Sequence, residues 1–219
     1  MAISKLNFNS LNVTPTASKG IGFDSGADDL EASFSGGSMV FIKKLTASSS
    51  ATLSFVNGAS SVVLDGTYKE YMFTFKDIHP ETDSADLTFQ VDTGTNTNYN
   101  QAITSTVFRA EIKEDDSDQK LVYDTNLDQA EGNAFQQIQH DIGNDADQSA
   151  SGTLTLFNPA SATFTKHFMA RNHIYYGGDY TLDFLVAGYF NTTTALTRVQ
   201  FKMSTGNIDS GDICLYGIS

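Results

Sequence analysis

Residues 68–91 read YKEYMFTFKDIHPETDSADLTFQV. Tyr71, Phe73 and Phe75 alternate with Glu70, Met72, Thr74 and Lys76, and past the turn-rich HPETDSAD the alternation resumes, with Leu87, Phe89 and Val91 set against Thr88 and Gln90. A period of two is the period of a β-strand. It predicts two antiparallel strands, each with one face packed and one face wet, connected through Pro80 and the acids that follow it.

The same design recurs along the chain. Strands are predicted at 39–45, 51–56, 68–78, 86–91, 105–113, 135–142, 152–157, 166–175, 180–190, 196–203 and 211–218, separated by Asn-, Asp-, Gly- and Ser-rich segments such as NGAS, DTGTNTN, GNDADQS and STGNIDSG, whose residues tolerate turn backbones. The best helical candidate, 126–139, has Leu127, Ala130, Ala134 and Ile138 near helical spacing, but Gly132 and Asn133 interrupt it and leave room for one short turn. Many short strands with connections of this kind predict an all-β, antiparallel two-sheet sandwich, jelly-roll-like, with an immunoglobulin-like sandwich as the alternative. Phe73, Phe75, Phe89, Leu154, Leu156, Phe184, Val186, Phe201 and Leu215 are the expected core. The closing strand, ICLYGI, is expected to pair with an early one such as ATLSFV and so hold the C-terminus within the sheet.

Composition bounds the partners. Hydrophobic residues make up 40% of the 219, with 16 Phe and no Trp, enough for the interior of one large β-domain but hardly of two. The net charge of −13, from 26 acidic and 13 basic side chains, repels phosphate backbones and anionic lipid, which argues against nucleic acid as a partner. The single cysteine, Cys214, lies between Ile213 and Leu215 and reads as a half-buried strand thiol. No apolar run reaches the ~20 residues of a membrane span, and the opening MAISKLNFNSLNV lacks the apolar stretch of a signal peptide.

The chain before the first strand differs in character. Residues 1–37 carry Leu6, Phe8, Leu11, Val13, Ile21 and Phe23 as isolated hydrophobes in a Gly-, Ser- and Asn-rich background. Two readings stand together: an extended arm that orders against another surface, or an N-terminal strand pair laid along the domain's edge. The domain division follows, with an arm at 1–37 and a β-sandwich at 38–219.

Few constellations carry chemistry. His79, His140, His167 and His173 belong to no HxH or HExxH pattern; His167 and His173 on one strand would stand about 20 Å apart, too far to share a metal. All four read as structural or surface side chains. The turns EDDSD (114–118) and NDAD (144–147) read as solvated acidic turns, with calcium considered for Asp145 and Asp147 beside Gly143 and Asn144, although neither turn completes an EF-hand loop. No nucleophile elbow, P-loop or dinucleotide fingerprint occurs. The segment NHIYYGGDY (172–180) offers rings and amides suited to sugar faces, with Asn172, His173, Tyr175, Tyr176, Asp179 and Tyr180 as candidate contacts; the plainer reading is a hairpin whose tyrosines shield the sheet end.

Three runs, YKEYMFTFKDIHPETDSADLTFQ, IGNDADQSASGTLTLFNPAS and VAGYFNTTTALTRVQFKMSTGNIDSGDICLYGI, resemble a domain of virion structural and tail-fibre-like proteins of tailed phages, especially marine, cyanophage-type ones, over 39–219. The opening 33 or so residues from KLNFNSLNV are similar to the leader that accompanies it, and the arm at 1–37, through Leu6, Phe8, Leu11, Val13, Ile21 and Phe23, is the expected attachment to the virion, with the far end of the sandwich facing outward. The resemblance implies a non-enzymatic protein of the virion exterior, assembled in the host cytoplasm, multivalent and often trimeric, with other virion proteins as partners. It carries no catalytic motif and no cofactor. Two placements are open: a tail-associated fibre or tip module that meets host glycans through 172–180 or 92–100, and a capsid decoration protein clamped by its arm to the major capsid protein. A carbohydrate-active tail enzyme is a third class, without a sequence signature.

Overall fold

The computed structural model describes residues 19–23, 30–35 and 38–219, with side chains from residue 38 onward. Among the described residues fourteen strands follow one another: β1 (Lys19–Phe23), β2 (Leu30–Ser35), β3 (Met39–Thr46), β4 (Leu53–Val56), β5 (Glu70–Pro80), β6 (Ala85–Thr93), β7 (Ile103–Lys113), β8 (Gln119–Tyr123), β9 (Gln136–Ile142), β10 (Ala150–Phe157), β11 (Lys166–Tyr176), β12 (Tyr180–Phe190), β13 (Leu196–Met203) and β14 (Ile208–Ile218). Among the described residues there is no helix; the candidate at 126–139 becomes a turn followed by β9. All eleven expected strands are present, and β8 is an addition.

The chain divides into two compact units, Met1–Val40 and Phe41–Ser219. In the first, β1 and β2 pair antiparallel as a two-stranded sheet of their own. This pairing is the part of the strand-pair reading that the described residues bear on. Ile21 and Phe23 lie on β1, while Leu6, Phe8, Leu11 and Val13 lie outside the described residues.

The other twelve strands are joined in one large antiparallel sheet that curves towards a barrel, in the order β3-β14-β5-β10-β11-β9-β6-β13-β4, with β12, β7 and β8 continuing from the other side of β11. Hydrogen bonding divides it into two runs, β3-β14-β5-β10-β11-β12-β7-β8 and β9-β6-β13-β4, joined by the pair Tyr176↔Ile142. The curvature brings inward-facing rings of the two runs together: Phe73 of β5 lies 5.3 Å from both Phe55 of β4 and Phe201 of β13, and Phe89 of β6 lies 5.0 Å from Phe168 of β11. Each expected core residue is buried.

Two expectations need correction. The closing strand β14 does pair with an early strand and lies within the sheet, but its neighbours are β3 and β5, and it is β13 that pairs with β4, the ATLSFV strand; periodicity fixes which face a strand buries but leaves its neighbour open. The polar face of β6 is not wet. Thr88, Gln90 and Asp92 are buried. The Thr88 hydroxyl donates to the Lys202 carbonyl of β13, and the β6–β7 and β8–β9 connections reach the other two: Gln90 Nε2 donates to the carbonyls of Gln101 and Ala134, and the Asp92 carboxylate accepts from the Tyr99 amide. Burial without such partners would cost about 1–3 kcal/mol per group. Asp92 and Tyr99 thereby leave the list of host-contact candidates in 92–100.

Candidate functional site

At one end of the sheet five turns are sewn together: 81–84, 114–118, 143–149, 177–179 and 204–207. The Asn144 amide donates to Asp83 Oδ1 and its side chain to the Glu81 carbonyl, the Glu114 amide to the Asp179 carbonyl, the Gly143 amide to the Tyr175 carbonyl, and the Asn207 amide to Glu81 Oε2. Gly143 is required where these turns cross, since a Cβ there would stand 2.9 Å from the Gly177 Cα. The turns contain Glu81, Asp83, Glu114, Asp118, Asp145, Asp147 and Asp179 among their acids and neither Lys nor Arg. The end therefore carries a strongly negative potential.

The segment 172–180 is the β11–β12 hairpin, in unbroken register from Lys166↔Phe190 to Tyr176↔Tyr180. The plainer reading is thus correct in its geometry, and the candidate contacts divide. Asn172 is 1% exposed and donates to the Ile138 carbonyl, so it is a core residue. His173 is exposed and pairs with Thr181 Oγ1 at 2.7 Å. Tyr175, Tyr176 and Tyr180 are half-buried and Asp179 is exposed with φ 62°, turning the tip. A hydrogen bond to Glu114 holds the Tyr175 phenol above its ordinary pKa, and loss of solvent followed by the Asp118 bond does the same for Tyr180. The Tyr176 and Tyr180 rings lie 5.3 Å apart.

Beneath this end lie three side chains that the sequence did not bring together: Asp86 on β6 and His140 and Asp141 on β9. A register shift between Ala85 and Leu87, together with the φ of 49° at Asp141, turns them towards one another. Asp86 Oδ1 lies 2.9 Å from His140 Nδ1 and accepts from the Asp141 amide at 2.9 Å; His140 Nε2 lies 3.4 Å from Asp141 Oδ2. The ring stacks over Phe184. Burial pushes the Asp141 carboxyl up, against the lowering pull of His140. Close by, Arg109 is held between Asp124 at 3.2 Å and the buried Glu111 at 3.5 Å, with Lys120 2.6 Å from Glu111.

Asp145 and Asp147 sit in the exposed turn 143–149. Among the described residues they form no cluster with a third acid or histidine close enough to share an ion. His79 meets the Asp145 carbonyl and Asp209, and His167 is exposed on β11.

A separate feature is an apolar hollow of about 440 Å³ on the outer face of β7, β11 and β12, lined by Thr106, Phe108, Met169, Leu185 and Ala187 among others. On β8 beside Phe108, Leu121 is 79% exposed and Tyr123 closes edge-on over the Phe108 ring. The Arg171–Asp183 ion pair borders the hollow. Compared with known protein families, with curated proteins and with solved structures, the chain matches none.

Proposed function

We propose that this chain is a non-enzymatic structural module of a tailed-phage virion, exposed on the particle and touching the host surface through its acidic, tyrosine-bearing end. The observation that carries the reading is the convergence of turns around the β11–β12 hairpin, where Tyr175, Tyr176, Asp179 and Tyr180 lie together on a rigid scaffold. Rings beside carboxylates suit the faces and hydroxyls of sugars. The resemblance of the three sequence runs to virion proteins supports the same reading. On it, the curved sheet is a two-sheet jelly-roll-like sandwich whose sheets touch through Tyr176↔Ile142, and the ring contacts between Phe55, Phe73 and Phe201 support that division.

Particles that encode the chain should contain it in many copies, and its absence from purified particles would sink the proposal. Antibody label at one vertex would place it on the tail, the placement we favour; label over the whole head would make it a capsid decoration protein. The second placement draws on the separate β1–β2 unit, which could clamp a neighbour. In either placement, deleting residues 1–37 should leave a folded β-domain that no longer joins particles. Host glycan should be retained by the wild type and lost with Tyr175→Ala and Tyr180→Ala together; sugar release from host polysaccharide would favour the enzymatic class instead. The chain is further proposed to assemble as a homotrimer, with Phe108, Leu121 and Leu185 in the contact, since an apolar stripe reaching an edge strand is a surface that closed symmetry covers.

A further inference from the structure

Asp86, His140 and Asp141 are the one group of three or more acids and histidines among the described residues whose donor atoms all lie within 4.8 Å of one another. We propose that they form a binding site for a divalent transition cation of the zinc class, with His140 Nε2 and the Asp141 carboxylate as ligands, Asp86 fixing the imidazole, and water completing the shell.

A neutral imidazole has one N–H, and an ionised carboxylate only accepts. With Asp86 Oδ1 2.9 Å from Nδ1, the proton belongs on Nδ1 and Nε2 presents its lone pair. That lone pair stands 3.4 Å from Asp141 Oδ2, a second electron-pair donor. Two donors held so close need a positive centre between them, either a further proton or a metal ion. With zinc bonds of about 2.0–2.2 Å to nitrogen and oxygen, donors at that separation subtend roughly the tetrahedral angle.

The surroundings favour the metal. A carboxylate on the far nitrogen of a metal-binding histidine orients the ring and raises its basicity, which is the position of Asp86. Arg109 is already shared by Glu111 and Asp124. The acidic turns above raise the local concentration of cations. The side chains of Asp86, His140 and Asp141 are 13%, 15% and 28% exposed, so an ion and its waters have access. One nitrogen with carboxylate oxygen suits zinc, cobalt or manganese, whereas calcium and magnesium prefer oxygen alone.

The test uses the full chain stripped with chelator. Zinc titrated in a calorimeter should give one ion per chain and raise the Tm, and cobalt should give a visible absorption band at the same stoichiometry. Asp141→Asn should abolish both signals, and Asp86→Asn should weaken binding about 10- to 100-fold. The double variant Asp145→Asn with Asp147→Asn should bind as the wild type does; loss there would move the ion to the exposed turn and overturn the assignment. No heat and an unchanged Tm in the wild type would leave a second proton as the bridge and refute the site. Should Asp141→Asn fail to fold, the His140 ring nitrogens decide by NMR: the Nε2 signal must move on adding zinc, and an unmoved signal refutes coordination.

Discussion

Phe201→Ala tests whether the sheet closes over its core as described. Phe201 is fully buried on β13, and its ring lies 5.3 Å from Phe73, 5.4 Å from Phe75, 6.2 Å from Phe55 and 6.2 Å from Phe89. Three of these contacts are edge-to-face, and two of the partners, Phe73 and Phe75, come from β5, in the other run of strands. Truncating a buried Phe to Ala costs about 3–5 kcal/mol, and loss of several ring pairs, each worth about 0.5–1.5 kcal/mol beyond area, sets the expectation near 5 kcal/mol. Against a total stability of roughly 5–15 kcal/mol, that is a third or more of the fold's free energy and a fall of about 10–20 °C in Tm. Urea unfolding followed by far-ultraviolet circular dichroism measures it, with Phe164→Ala, an exposed ring, as a control expected within about 0.5 kcal/mol. A loss under about 2 kcal/mol with an unchanged urea slope would refute the reasoning, because β13 could not then be packed across β5.

The Tyr71 phenol, buried and donating to the Asp65 carbonyl at 2.8 Å, is pushed up to about 12, chiefly by burial. An unfolded tyrosine ionises near 10, so this contribution is intact below about pH 10 and is lost as pH rises to about 12; Tyr71→Phe should flatten the stability profile in that window by up to about 2.7 kcal/mol, and parallel profiles would count against it. Gly211→Ala should destabilise by more than 1 kcal/mol, since φ is 115° and a Cβ would come 2.6 Å from the Asp77 carbonyl; a melt like that of the wild type would show that the β5–β14 bulge yields. Leu121→Lys should leave the monomer's melt within about 0.5 kcal/mol while dissociating any oligomer in light scattering, and an unchanged mass would remove β8 from the contact.

The strands were legible because their apolar residues keep period two: Tyr71, Phe73 and Phe75 of β5 and Leu87, Phe89 and Val91 of β6 are all buried. What β8 lacks is that signal. In QKLVY only Val122 is half-buried, and the strand forms by pairing with β7, where Lys120 faces Glu111 and Tyr123 faces Phe108. The water-facing side of β6 was misread for a related reason. Gln90 and Asp92 look like solvent positions on an alternating strand, and only the long connections folding back over them make these two residues anchors for buried backbone. Alternation reports one strand's faces, while neighbours and coverings are set by chain segments far away in sequence.

The candidate site was divided along the same line. The hairpin at 172–180 could be read from its glycines and tyrosines, but Asn172 falls on the inward phase of β11 because Ile174 does, and the alternation from Phe168 already placed it there. The Asp86–His140–Asp141 group had no local signature at all. Asp86 and His140 are 54 residues apart, and the two adjacent residues of β9 reach a common partner because an irregular register with β6 and a left-handed backbone at Asp141 break the alternation that would otherwise send them to opposite faces. Non-glycine residues adopt that backbone at a cost of order 1 kcal/mol or more. The left-handed residue Asp141 in β9 draws together two carboxylates and an imidazole, a combination that a bound cation would relieve.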